Sequence, residues 1–295
     1  MELQKLLFIV NPRAGRNKPH GPLFDALSVL SQAGYLIRIR QTAAPGDAAE
    51  IAAREGPAYD LVVAAGGDGT LNEVISGLMR LESPPPLGYL PQGTTNDFAA
   101  SLQIPRDPAA AAENNAKGRL RTLDLGQWNP RNFIYVASFG AFTRSSYTAS
   151  QAAKNALGHF AYILEGMKDL STLRPYRIRL TADGETLDGD YLFGAVCNST
   201  SIGGLMKLDP ERVVLDDGKF EMLLVPSPKT ALDLQNLVLA LLNQQYDSQG
   251  LVFRHVSSIH LETEEDLPWS LDGEYAPSVP VVEIANRQQA LRMLL

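Results

Sequence analysis

The chain has 295 residues, 45% apolar and 20% charged, with a formal net charge of −7. That length allows one large domain or two medium ones with a proper core. The acidic balance argues against a general nucleic-acid binder and against tight electrostatic attachment to an anionic membrane. The lone Cys197 excludes an internal disulfide and a multi-cysteine metal site, which fits a reducing compartment. Residues 1–5 lack the features of a signal peptide. No apolar run is long enough to span a bilayer, since residues 231–242 are interrupted by Asp233, Gln235 and Asn236. A cytoplasmic protein is expected, with no transmembrane segment and no nucleic-acid partner.

Residues 6–10 are apolar with β-branched members and predict a first parallel strand. The strand ends in Asn11-Pro12-Arg13-Ala14-Gly15-Arg16, a loop by composition. Open α/β sheets place ligands outside the carboxyl ends of strands, and a plain βα connection competes with that reading. Residues 23–33 predict an amphipathic helix stopped at Gly34. Residues 35–40 alternate apolar and basic and predict a strand with one polar face. Thr42 closes it, as a turn residue or a nucleotide contact. Residues 47–55 predict a second helix.

A buried strand over residues 61–65 then runs into Gly66-Gly67-Asp68-Gly69-Thr70-Leu71-Asn72-Glu73, with helical apolar spacing over residues 71–81. Glycines at a strand-to-helix turn accept positive φ and let another group approach the backbone. A helix start leaves free N–H groups and partial positive charge, which suit a phosphate. A carboxylate beside a phosphate is repelled unless a cation such as Mg²⁺ lies between them, so Asp68 points to a metal-linked nucleotide turn. The competing reading is a tight turn with Asp68 as helix cap.

After the break at Ser83-Pro84-Pro85-Pro86, residues 87–90 form another short strand. It runs into Pro91-Gln92-Gly93-Thr94-Thr95-Asn96-Asp97-Phe98. Thr94 and Thr95 are donors for phosphate oxygens; Asp97 is a candidate to receive a hydroxyl proton or to help hold a metal. Asn96 or Asp97 as a helix N-cap is the alternative. The repeated β-α order predicts a parallel sheet covered on both faces. Neither turn is a Walker loop or a dinucleotide fingerprint.

Residues 109–116 predict a helix, and from residue 122 strands dominate. They are expected at 122–127, 133–139, 176–181, 189–198, 219–225, 257–262 and 281–285, with helices near 156–170 and 230–244. Hairpin signals such as Ala182-Asp183-Gly184-Glu185 separate the strands. The domain expectation is therefore an α/β unit over residues 1–122 and a β-rich unit over residues 123–295.

The two glycine turns and the loop at residues 11–15 resemble the bacterial diacylglycerol-kinase-type lipid kinases, which share a catalytic domain with eukaryotic diacylglycerol, sphingosine and ceramide kinases. Ser138-Phe139-Gly140, Gly203-Gly204, Leu215-Asp216-Asp217-Gly218 and Asp272-Gly273-Glu274 extend the likeness over nearly the whole chain. The Gly-Gly-Asp-Gly-Thr core is shared with NAD kinases and phosphofructokinases; its combination with Thr-Asn-Asp-Phe is more specific. One departure is Ala14, where the family usually has Ser, which removes one phosphate hydrogen bond.

The resemblance implies a parallel-sheet nucleotide-binding domain followed by a β-sandwich, with residues 286–295 packing back on the first domain. It implies transfer of the γ-phosphoryl group of ATP, with Mg²⁺, to a lipid hydroxyl, diacylglycerol by default. The lipid would be met transiently at the inner membrane face, and a homodimer is left open. Asn11, Pro12, Arg13, Ala14, Gly15, Thr42, Gly66, Gly67, Asp68, Gly69, Thr70, Leu71, Asn72, Glu73, Gly93, Thr94 and Asn96 would bind the nucleotide. Glu274 or Asp272 would be the general base, with Asp68 as metal link or base and Asp97 orienting the acceptor hydroxyl. Asp217 with the carbonyls of Val214 and Lys219, supported by Asp124 through water, would form a separate Mg²⁺ site; a plain β-turn competes there. Tyr147, Phe160 and Tyr162 are lipid-groove or core residues, and helix 231–242 touches lipid or packs on the sandwich. Two other readings stay open: a kinase for another lipid or a non-lipid alcohol, and a nucleotide-binding regulatory protein without catalysis.

Overall fold

The computed structural model describes residues 4–14, 21–94, 96–140, 174–202, 206–208, 210–246 and 250–295. Gly15, Thr95, Tyr147, Phe160, Tyr162, Gly203, Gly204 and the helix expected at 156–170 lie outside them. The chain divides into two compact units, Met1–Leu123 with Gln289–Leu295, and Asp124–Gln288.

The first unit is built on β1 (Gln4–Val10), β2 (Tyr35–Gln41), β3 (Leu61–Gly66) and β4 (Leu87–Pro91), a parallel sheet in the order β2-β1-β3-β4. Leu6 pairs with Leu61, and Gly66 with Pro91, so the strand ends line up along one edge. Strands β3 and β4 are buried throughout and β1 over its last five residues. Such unbroken apolar runs belong to strands covered on both faces. Strand β2 is the outer one, and its polar face reaches the carboxylate of Glu55 through Arg38 at 3.4 Å and Arg40 at 3.2 Å. The connecting helices are α1 (Gly21–Gln32), α2 (Asp47–Glu55), α3 (Asp68–Leu78), α4 (Asp97–Ser101) and α5 (Pro108–Lys117).

Strand β5 (Leu120–Trp128) leads into the second unit. There follow β6 (Arg131–Phe133), β7 (Val136–Gly140), β8 (Tyr176–Ala182), β9 (Glu185–Cys197), β10 (Ser201–Ile202), β11 (Met206–Lys207) and β12 (Phe220–Pro226). Helix α6 (Ala231–Leu242) precedes β13 (Val252–Val256), β14 (Ser258–Glu262), β15 (Trp269–Leu271), β16 (Glu274–Ala276) and β17 (Val281–Leu294). Antiparallel pairing runs β16-β15-β7-β9-β8-β14-β17, and β12 bridges β9 and β13. The core sets Trp269 against Phe139 and Trp128, with ring centroids 4.9 and 6.0 Å apart. The architecture is thus an α/β parallel-sheet unit followed by a β-sandwich unit, the expected fold class.

Three differences from the sequence reading have physical causes. The strand expected at 133–139 is broken, because the amides of Ile134, Tyr135 and Val136 turn to a side chain, Asp272. Strand β17 runs nine residues past the expected 285, pairing β14 early and β4 at Met293. Strands β13, β15 and β16 were not anticipated. The first carries Arg254 and His255 mid-strand, and the others have three residues each.

Candidate active site

In the first unit, backbone bonds gather the turns at the carboxyl edge of the sheet. Thr42 N–H donates to the Val10 carbonyl and Asn11 N–H to the Ala65 carbonyl. Gln92 N–H donates to the Gly66 carbonyl at 2.7 Å. The Asn11 amide donates to Thr70 Oγ1 at 3.0 Å, joining the first loop to the start of α3. Asn11, Thr42, Gly66, Gly67, Thr70 and Gly93 are therefore brought together; Pro12, Arg13 and Ala14 continue the first loop, and Thr94 stands exposed on the second turn.

The glycines serve close approach rather than positive φ. Gly67, the N-cap of α3, has φ −87°, an ordinary value for any residue. A Cβ on Gly93 would lie 2.7 Å from Gly67 Cα and 2.6 Å from Asn96 Oδ1, and one on Gly66 2.5 Å from Thr70. The two turns pack backbone on backbone, and only residues without side chains allow it. Gly93→Ala is expected to weaken Mg²⁺·ATP binding by at least about tenfold while far-UV circular dichroism is retained; calorimetric titration checks it.

The left-handed residue is instead Asn96, with φ 53° and ψ 53°. It is buried, and its side chain grips Gly93 both ways: Oδ1 accepts from Gly93 N–H and Nδ2 donates to Gly93 C=O, each at 2.9 Å. It does not cap α4. That role falls to Asp68 from the other turn, whose Oδ2 accepts from Asp97 N–H at 3.2 Å. The other oxygen, Asp68 Oδ1, is buried with no hydrogen-bond partner among the described residues. An acceptor-only oxygen left over in a buried turn is what a hard cation or its water would take. The residues present fit Mg²⁺·ATP in this respect, and the bare backbone of Gly67 and Gly93 fits a phosphate approaching closely.

Burial raises the Asp68 carboxyl above the usual range, against the pull of several backbone amides. Asp97 is pushed up to about 6, by burial first and the Asp68 charge second, with Arg106 pulling it back. Two neighbouring carboxyls with raised proton affinity are the kind of pair that occurs at functional sites.

Two of the expected nucleotide residues belong to the scaffold. Leu71 is fully buried and its N–H donates within the helix to Gly67 C=O. The Glu73 carboxylate accepts from Gly46 N–H at 2.8 Å and Ala48 N–H at 3.2 Å. It thus caps α2 rather than facing a ligand. Asn72 Oδ1 accepts from Ser76 Oγ at 3.3 Å, one turn along α3. Gly69 lies in the first turn of α3. Sequence reasoning missed Tyr89, fully buried with its hydroxyl on Gly66 C=O and Asn96. The signal was a phenol inside an apolar strand, which needs a partner. Arg106 was missed too.

In the second unit, Asp272 is 5% exposed. Its Oδ2 accepts from Ile134 N–H at 2.7 Å, and its Oδ1 from Tyr135 and Val136 N–H at 3.0 Å each. Of the two carboxylates expected as general base, Asp272 thus has both oxygens on backbone amides. Glu274 is exposed, 3.8 Å from Arg131. Asp124 Oδ2 accepts from Gly218 N–H at 2.6 Å and from the Asn286 amide at 3.1 Å, while Asp217 Oδ1 accepts from Lys219 N–H at 2.9 Å. Asp124 and Asp217 thus meet at one turn beside Val214 and Lys219. No cluster of three His, Cys, Asp or Glu suited to a metal occurs among the described residues, so oxygens of the main chain would have to complete that site.

Residues 5–128 match the diacylglycerol kinase catalytic domain, and residues 136–295 the YegS C-terminal NAD kinase beta sandwich-like domain. A diacylglycerol kinase of Bacillus subtilis (strain 168) is 36% identical over 283 residues, covering 94% of this chain and 92% of that protein. A diacylglycerol kinase of Staphylococcus aureus (strain MRSA252) is 34% identical over 275 residues, covering 92% and 86%. A solved structure from Bacillus anthracis str. Sterne, assigned to the diacylglycerol kinases, superposes with a TM-score of 0.82 at 27% identity. It covers all of this chain and 96% of that one. The chain belongs to the diacylglycerol kinase family.

Proposed function

We propose that the protein is an ATP-dependent lipid kinase whose acceptor is diacylglycerol and whose product is phosphatidic acid. The observation that carries this is the Asp68–Asp97 pair between two glycine turns, with Asp68 Oδ1 left without a partner. The named relatives supply the acceptor.

In this reading Asn11, Thr42, Thr70, Thr94 and the backbone of Gly66, Gly67 and Gly93 bind and orient the phosphates. Mg²⁺, when bound, neutralises phosphate charge, and Asp68 is the residue that would hold it, directly or through water. Asp97 orients the acceptor hydroxyl. A carboxylate base takes the hydroxyl proton as that oxygen bonds to the γ-phosphorus, the bond to the β-phosphate oxygen breaks, and ADP leaves; the family likeness of Asp272-Gly273-Glu274 is what offers Glu274 for that role. Asp272 keeps the Asp-Gly-Glu hairpin in place and is not itself the base, because its oxygens are taken by three amides. The turn of Asp217, with the Val214 and Lys219 carbonyls and Asp124, holds a second hard cation.

No described helix is long and apolar enough to cross a membrane; in this reading the lipid is met at a membrane surface. Purified protein with Mg²⁺, γ-labelled ATP and mixed micelles carrying a panel of lipids tests the proposal beside Asp68→Ala and Glu274→Ala. Label should enter diacylglycerol and fall at least about a hundredfold in both variants. Label in another lipid would replace the acceptor. Nucleotide binding with no labelled lipid would leave a non-lipid alcohol or a regulatory role.

A further inference from the structure

We propose that Tyr89 is a positioning residue that locks the two glycine turns into one register through its hydroxyl. The inference rests on the reading of those turns as the nucleotide site and goes beyond it, since Tyr89 touches neither ATP nor acceptor in that reading.

Strand β4 is buried along its length, and Tyr89 is fully buried within it. Phenylalanine or leucine would fill such a position without a polar group to satisfy. The hydroxyl lies 3.2 Å from the Gly66 carbonyl and 3.4 Å from Asn96 Oδ1. One partner belongs to the first turn and the other to the second, so a single proton is shared between acceptors from both. The same Asn96 Oδ1 accepts from Gly93 N–H, and Gly93 lies against the Gly67 backbone. Asp68 follows Gly67 and Asp97 follows Asn96, so the residues next to both carboxylates are tied to one phenol.

The strand's own hydrogen bonding shows how the ring is set. Tyr89 N–H donates to Asn115 Oδ1 of α5 at 3.2 Å, and a Cβ on the preceding Gly88 would lie 2.7 Å from that amide. A side-chain acceptor thus takes up the amide of the residue whose hydroxyl spans the turns. Burial and the Asp68 charge hold the phenol protonated far above neutral pH, so it remains a donor throughout the working range.

A tyrosine that only packed the core would affect stability and nothing else. A positioning tyrosine sets the spacing of the two carboxylates, and displacements well under an ångström at such groups lower turnover. The test is Tyr89→Phe, Asn96→Ala and the double variant in the full chain. It reads kcat, KM for ATP and KM for lipid, Mg²⁺·ATP affinity by calorimetry, and thermal midpoint.

Tyr89→Phe is expected to lower kcat about tenfold with KM for lipid unchanged. On the Asn96→Ala background the same change should lower kcat less than about twofold, because the two act through one bond. An unchanged kcat beside a lowered midpoint would overturn the proposal in favour of core packing. Fully additive losses would overturn it too, since Tyr89 would then act without Asn96. Wild-type protein that neither binds Mg²⁺·ATP nor labels any acceptor would overturn the parent reading, and this inference with it.

Discussion

Asp68→Asn is expected to lower kcat about a thousandfold and, at neutral pH, to raise the stability of the first unit. The substitution keeps an oxygen to accept from Asp97 N–H, so α4 stays capped, but it removes the charge and replaces the unpartnered Oδ1 environment with an amide. Loss of one preorganised charge at a phosphoryl-transfer centre has effects of this size.

The stability gain follows from the direction of the shift. Burial raises the folded Asp68 above its unfolded value. Its contribution is therefore full below the unfolded value and is lost as pH rises through the folded one. Asp97 follows the same rule, with a folded value of about 6 against an ordinary 3.8, a difference on the order of 3 kcal/mol at neutral pH. Rate–pH profiles should show an acid limb near that value as Asp97 takes up a proton, and the limb should vanish in Asp97→Asn. A variant that loses turnover while its thermal midpoint rises is one whose native charge serves chemistry rather than folding. Equal loss of both would count against the assignment.

Asp272→Ala should destabilise the second unit by about 3–5 kcal/mol, because it strips the acceptor from three backbone amides in a buried turn. Asp183→Ala is the matched control. Asp183 begins the same tripeptide, Asp-Gly-Glu, and adopts the same backbone: φ 45° then 89° for Asp183-Gly184, and φ 51° then 84° for Asp272-Gly273. It too accepts from backbone amides, those of Ser257 and Ser258, but at an exposed hairpin where water replaces lost partners. About 1 kcal/mol is expected there. Urea unfolding of the two variants measures the contrast; equal midpoints would refute the burial argument. The aromatic cluster of Trp128, Phe139 and Trp269 supplies a fluorescence signal for the second unit.

That pair of tripeptides shows where sequence reading reached its limit. Both were legible as hairpins, since Asp-Gly favours the left-handed pair of dihedrals. Even the flanking glutamates have like partners, Glu185 with Arg254 at 3.9 Å and Glu274 with Arg131 at 3.8 Å. What separates the two is depth, and depth comes from residues 134–136, far away in the chain. Asp68 stood out in the sequence because a carboxylate among glycines is out of place. Its role as cap for α4 was not, because the capped helix begins 29 residues later. Glu73 misled for a related reason: it sits in the motif but serves Gly46 and Ala48 of another helix. The strands of the first unit were readable because buried parallel strands are continuous apolar runs. Strands β15 and β16 were not, because three residues carry no period.

Strand β17 has a consequence for the order in which the protein is made. Its end pairs Met293 with Leu87, and Leu295 exchanges backbone bonds with Arg119. The residues that finish the first unit therefore leave the ribosome after the whole of the second. Until then β4 has an open edge, and the turn carrying Gly93, Asn96 and Asp97 grows from that unfinished strand. Contacts between residues about 200 apart must close before the sheet is complete, a slow step by loop-closure entropy. A nascent chain would thus hold its two glycine turns on an unsealed sheet until the end of β17 emerges, and chaperones would meet that edge first.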